Sequence, residues 1–265
     1  MNKRAIAGAL LLGLSVLLLA SCGSVSTLET KAVTQTTASE ATAAEEQPYE
    51  QYRNATEKIK KPEEQQAEEL KKVLQQLNPQ YGKADELDFW WVTSPRCIEN
   101  EAAGKSCIAP MLGILAPSAD PVLFIAFNYI GGEYMDMDTV EIHTDEYKYT
   151  YSSGTFSMEV QKDKVTFQNS PDKMEETALR LATDDDIDML VDILKSDEVL
   201  LRFEKFNTAK PIWEECTMPE EDKQAIADVL NAYYLYLNAS EMARAKAISS
   251  IEHWHLHQMQ KIHPF

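Results

Sequence analysis

The chain of 265 residues is acidic, with 43 Asp and Glu against 25 Lys and Arg and a formal charge of -18. That balance argues against a nucleic-acid or anionic-lipid surface as partner, because binding to phosphate-rich surfaces draws on Lys and Arg. The length suffices for one moderate domain with appendages.

The chain opens on Asn2-Lys3-Arg4, continues through an apolar run to Leu19, and places the small residues Ala20 and Ser21 before Cys22. A short positive start, an apolar stretch and small residues at the cut make a secretory signal. The apolar run, about 15 residues, falls short of the roughly 20 that a spanning helix needs. Leu19-Ala20-Ser21-Cys22 resembles the cleavage motif of the bacterial lipoprotein precursor family, a Leu, two small residues and a Cys.

The resemblance implies that residues 1–21 are removed, that the Cys22 sulfur carries a diacylglyceryl group, and that the new N-terminus is acylated. It implies an extracytoplasmic, membrane-anchored protein. Because Gly23 rather than Asp follows the cysteine, the outer membrane is the expected destination in a diderm cell, and the outer face of the cytoplasmic membrane otherwise. Each buried methylene of such a chain contributes about 0.8 kcal/mol, and two or more chains anchor stably.

Residues 22–47 are rich in Ser, Thr, Ala and Glu, too poor in large apolar groups to fold, and are expected to form a disordered tether. Residues 48–82 turn helical. Pro62 followed by Glu63 and Glu64 suits a first helical turn, and Leu70, Val73, Leu74 and Leu77 recur at spacings of three and four. Asn78-Pro79-Gln80-Tyr81-Gly82 reads as the turn that ends this helix.

Residues 83–238 are expected to form an α+β domain. Extended runs are predicted over 87–92, 111–115, 122–129, 134–143, 147–151, 155–160, 164–168 and 199–206. These make about eight short strands in an antiparallel meander sheet or β-sandwich, with the N-terminal helix before it and two or three helices in the C-terminal half. Val122-Leu123-Phe124-Ile125-Ala126-Phe127 is apolar throughout and should be the central strand. Ile130-Gly131-Gly132-Glu133 reads as a hairpin turn.

Thr183 followed by Asp184, Asp185 and Asp186 reads as a capped helix start, with Ile187, Leu190, Val191 and Leu194 on its buried face. Pro219, Glu220 and Glu221 open another helix, with Ile226, Val229, Leu230, Tyr233 and Leu237 on one side. Residues 239–265 form a helical tail. By layout alone, this half of the chain resembles uncharacterised exported bacterial domains, and that likeness implies no activity.

Once Cys22 is lipidated, Cys97, Cys107 and Cys216 remain, and an odd number leaves one thiol over in an oxidising compartment. Cys97 and Cys107 flank a polar segment over 98–106, so a disulfide stapling that loop is the first expectation. His253 and His257 lie four apart, on one face of a helix, and are the candidate metal ligands; a helix end rich in His is the plainer reading. Glu133, Asp136, Asp138 and Glu141 crowd one stretch but match no calcium loop, and a solvated face explains them better.

Phe89, Trp90 and Trp91 cannot all face inward on one strand, which leaves an aromatic for the surface or for cover by the Cys97–Cys107 loop. No nucleophile elbow, Walker loop or dinucleotide fingerprint is present. No catalytic residue and no cofactor are assigned. The expectation is a lipid-anchored envelope protein with a non-catalytic binding or structural domain, partnered by the membrane and by an envelope protein or glycan. An envelope hydrolase, a metal-dependent enzyme and a metal-capturing lipoprotein are the alternatives.

Overall fold

The computed structural model describes residues 53, 61–84, 87–115, 119–157, 159–165, 172–205, 210 and 212–262. The signal, Cys22 and the tether lie outside them. The described part is α+β, with ten strands in two antiparallel sheets and five helices. None of these helices is long and apolar enough to cross a membrane.

Helix α1 (Glu63–Gln76) starts behind Pro62 with Glu63 and Glu64 in its first turn, and buries Ala67, Leu70 and Leu74. Strands β1 (Asn78–Ala84) and β2 (Leu87–Thr93) follow, then α2 (Pro95–Ala102), β3 (Cys107–Ile114) and β4 (Val122–Gly131). β5 (Met137–His143), β6 (Lys148–Ser152), β7 (Gln161–Val165) and β8 (Lys173–Leu181) continue the chain. It ends on α3 (Asp184–Lys195), β9 (Leu200–Lys205), β10 (Ile212–Thr217), α4 (Glu220–Asn238) and α5 (Glu241–Ile262).

The larger sheet runs β1-β2-β3-β4-β8-β7 and the smaller β10-β9-β5-β6. β4 is flanked on both sides and buries seven of its ten residues, as its unbroken apolar run requires. Its odd-numbered residues, Leu123, Ile125, Phe127 and Tyr129, share one core with Val140, Ile142, Leu201 and Phe203 of the smaller sheet and with α3 and α4. That core also takes in Leu70 and Leu74 of α1 and Ala243, Ala247, Ile248 and Ile251 of α5. The even-numbered Phe124 and Ala126 join Phe89, Trp91, Met111 and Leu179 in a second cluster, with Cys97 and Cys107.

Three expectations are corrected. Asn78–Ala84 is a strand, pairing antiparallel with Leu87–Thr93, where a turn was expected. It lies at the sheet edge, where a proline is tolerated, and Gly82 leaves the space that the ring of Phe89 occupies: a Cβ there would stand 2.4 Å from it. The segment after Cys97 is largely helix rather than loop, and it closes through Gly104 at φ 67°. Thr155 closes a 3-10 turn (Ser153–Thr155), residues 156, 157, 159 and 160 belong to no strand, and the strand is displaced to Gln161–Val165; residues 158 and 166–168 lie outside the described residues.

The double-glycine segment is also no hairpin. β4 pairs with β3 and β8, β5 pairs with β6 and β9, and residues 132–136 carry the chain from one sheet to the other. Asp136, at φ 50°, sits in the left-handed region. Glu176 of β8, with no exposed surface, accepts hydrogen bonds from the backbone N–H groups of Asp136 (2.8 Å) and Met137 (2.6 Å). A buried carboxylate thereby satisfies two donors of an irregular crossing that would otherwise be unpaired.

Candidate functional site

Where β3 begins, β4 ends and α4 starts, the two sheets part into a cleft of about 440 Å³. Ile130, Phe203 and Pro219 form its apolar walls, and Lys105, Ser106, Tyr129, Glu214, Glu215, Cys216, Thr217 and Asp222 supply its polar groups. The size and the mixture suit a small-molecule site.

Strand periodicity explains the arrangement. Glu214 is paired with Phe203, and Cys216 with Leu201, so both lie on the inward side of β10, at the sheet edge. Ser106 Oγ accepts from the Ile130 N–H at 2.9 Å and fixes the approach to β3 against the end of β4. The Met218 N–H donates to the Val199 carbonyl at 2.8 Å and sets the start of α4 beneath them.

Tyr129 is the deepest of these groups. It is 1% exposed, its ring centroid lies 5.7 Å from that of Phe203, and its hydroxyl has no hydrogen-bond partner among the described residues. Gly131, two residues on and on the same face, makes room for that hydroxyl, since a Cβ there would stand 1.8 Å from it. Burial, followed by the Glu214 carboxylate, pushes the phenol well above its ordinary range; no oxygen of Glu214 nonetheless reaches the hydroxyl in hydrogen-bonding geometry. Cys216 is half-buried, and burial and then Asp222 push its thiol up to about 11. Both groups are therefore protonated at neutral pH.

Beside the cleft, on the outer face of the smaller sheet, Glu141, Arg202 and Glu215 lie directly opposite one another on β5, β9 and β10. Arg202 donates to both carboxylates at 2.7 Å and stacks 4.4 Å from the ring of Trp213. Lys148 and His143 reach Glu141 at 2.5 and 2.9 Å. Burial opposes ionisation of Glu141, but the bonds from Lys148, His143 and Arg202 outweigh it and hold its pKa below 4.5.

A carboxyl with a depressed folded pKa contributes stability that is complete above its unfolded pKa and lost as pH falls through the folded one. Glu141→Gln is therefore expected to flatten the loss of stability below pH 4.5, read as urea midpoints from neutral to acid. A parallel decline in variant and parent would remove Glu141 from the acid response.

The acids of the stretch around Glu133 do not form one cluster. Asp136 pairs with Lys162, Glu133 lies 3.4 Å from Lys205, and Asp138 accepts from Ser153 at 2.8 Å, while Glu141 faces Arg202. Cys97 and Cys107 are buried thiols in the second cluster and form no bond to each other in this structure. Burial pushes Cys97 up to about 11. Phe89 and Trp91 face that cluster, whereas Trp90 faces the main core, so all three aromatics are buried on alternate sides.

His253 is exposed on α5, and its Nδ1 donates to the Ser249 carbonyl at 2.7 Å. The side chain of His257 lies outside the described residues. Among the described residues, no three His, Cys, Asp or Glu side chains converge as metal ligands would.

Cleft residues such as Tyr129, Phe203, Glu214 and Asp222 come from stretches that drew no attention as a site in the sequence. One usable signal is Tyr129-x-Gly131, a bulky aromatic with a glycine beside it on the same strand face. No protein-family model matches this chain, no curated protein matches it, and no solved structure matches it.

Proposed function

We propose that the protein is a lipid-anchored extracytoplasmic envelope protein, held by acyl chains on Cys22, whose α+β domain binds a ligand or envelope partner without catalysing a reaction. Leu19-Ala20-Ser21-Cys22, behind Lys3, Arg4 and the apolar run, is the observation that carries the anchoring. The acyl group supplies membrane affinity that an acidic chain does not gain from charge.

The cleft beside α4 supports the binding role, with apolar walls and a few polar groups directed into it. Its two candidate nucleophiles, Cys216 and Tyr129, are both held protonated, which favours recognition over covalent catalysis. Radiolabelled palmitate fed to cells expressing the chain is expected to label it, and Cys22→Ala to abolish the label. Equal labelling of the two would overturn the anchoring at Cys22.

A further inference from the structure

Two opposite charges line the cleft without meeting. Lys105, on the lead into β3 of the larger sheet, and Glu214, on β10 of the smaller, are both exposed. Among the described residues neither forms an ion pair, with the other or with a third group.

The other acids of the lining are taken. Arg202 holds Glu215 at 2.7 Å, and Asp222 is 2% exposed and engaged within the fold. The Tyr129 hydroxyl, buried beside Glu214, has no surface left to offer a guest. A carboxylate has about four acceptor positions, so nearness to that phenol leaves Glu214 able to serve a second donor.

One cation and one anion therefore remain for a guest, beside the apolar Ile130 and Pro219. The formal charge of -18 disfavours a guest with net negative charge, and Lys105 disfavours a bare cation at the same place. A molecule that carries both charges and no net charge matches the two groups at once.

We propose that the cleft binds an α-amino acid, its carboxylate on the Lys105 ammonium, its own ammonium on the Glu214 carboxylate, and a small apolar side chain against Ile130 and Pro219. The proposal rests on the binding role above and names its ligand class.

The full chain, purified in detergent, is titrated calorimetrically with valine, valinamide and N-acetylvaline. The second lacks the carboxylate and the third the ammonium, while the side chain is constant. Valine is expected to bind about tenfold more tightly than either blocked form, the worth of one charge-assisted hydrogen bond. Lys105→Gln should bring valine down to the level of valinamide and leave valinamide itself unchanged. Glu214→Gln should bring valine down to the level of N-acetylvaline and leave N-acetylvaline unchanged.

A variant that weakened all three probes alike would overturn the role given to its residue. Equal binding of the three by the parent, or tightest binding of either blocked form, would overturn the zwitterion and leave the binding role standing. No heat with any probe would overturn the proposal and remove the cleft's support for that role. Palmitate labelling at Cys22 is unaffected by any of these results.

Discussion

Asp186→Ala is expected to lower the unfolding free energy by about 3–5 kcal/mol, the usual range for breaking a buried ion pair from one side. Asp186 is 2% exposed and accepts five contacts. Arg180 Nε lies 3.0 Å from each of its oxygens, the Tyr151 hydroxyl donates at 2.9 Å, and the Thr183 N–H and hydroxyl each donate at 2.8 Å. Alanine removes the shared acceptor of all of these donors, of which the Tyr151 hydroxyl is the most deeply buried.

It also leaves the Arg180 guanidinium, whose side chain is 14% exposed, with the Thr155 carbonyl at 2.8 Å and the face of Tyr151 at 5.1 Å as its partners. The loss is thus of three joints at once: the start of α3, the end of β8 and the inner face of β6. Asp186→Asn keeps the shape and part of the bonding, and is expected to cost about half as much. Urea unfolding of the three proteins checks the order, and a loss under about 1 kcal/mol for the alanine variant would show that the network contributes little.

Arg244→Ala is the second large effect, at about 2–4 kcal/mol. Arg244 is 4% exposed at the start of α5, where it donates to the carbonyls of Tyr236 and Leu237 at 2.8 Å and so caps the end of α4. The same guanidinium reaches the Ala119 carbonyl at 3.1 Å and Asp120 at 2.7 Å, on the approach to β4.

Asp120 is 76% exposed, and Asp120→Ala should cost less than about 1 kcal/mol, because an exposed partner is already well solvated. Arg244→Lys should recover little, since a single ammonium cannot serve several carbonyls set around a planar fork. Thermal unfolding of the three variants separates capping from ion pairing: a loss for Asp120→Ala equal to that for Arg244→Ala would assign the effect to charge.

Residues that carry their own local physics were legible in the sequence. The apolar run 122–127 is the central strand, Thr183 with Asp186 opens α3, and Pro219 precedes α4. What escaped was placement by partners. β8 carries Lys, Glu and Arg at four of its nine positions, and its role rests on the strands beside it, β4 and β7.

β10 is a short acidic edge strand, recognisable only through its register with β9. An inward Glu on such an edge also discourages further strand pairing, so Glu214 has a structural use beside its place in the cleft. The cleft itself draws on residues from Lys105 to Asp222, brought together by a sheet crossing that two glycines and an acid made look like a hairpin.

That crossing bears on how the chain emerges and folds. The backbone N–H of Asp136 waits for Glu176, 40 positions downstream, and β4 waits for the same strand to cover its second side. Until β8 arrives, the most apolar strand of the protein presents an open edge, ready to pair with another chain. The interval between residues 131 and 173 is therefore the chain's period of greatest aggregation risk, and a chain cut short within it would lack the strand that shields its own core.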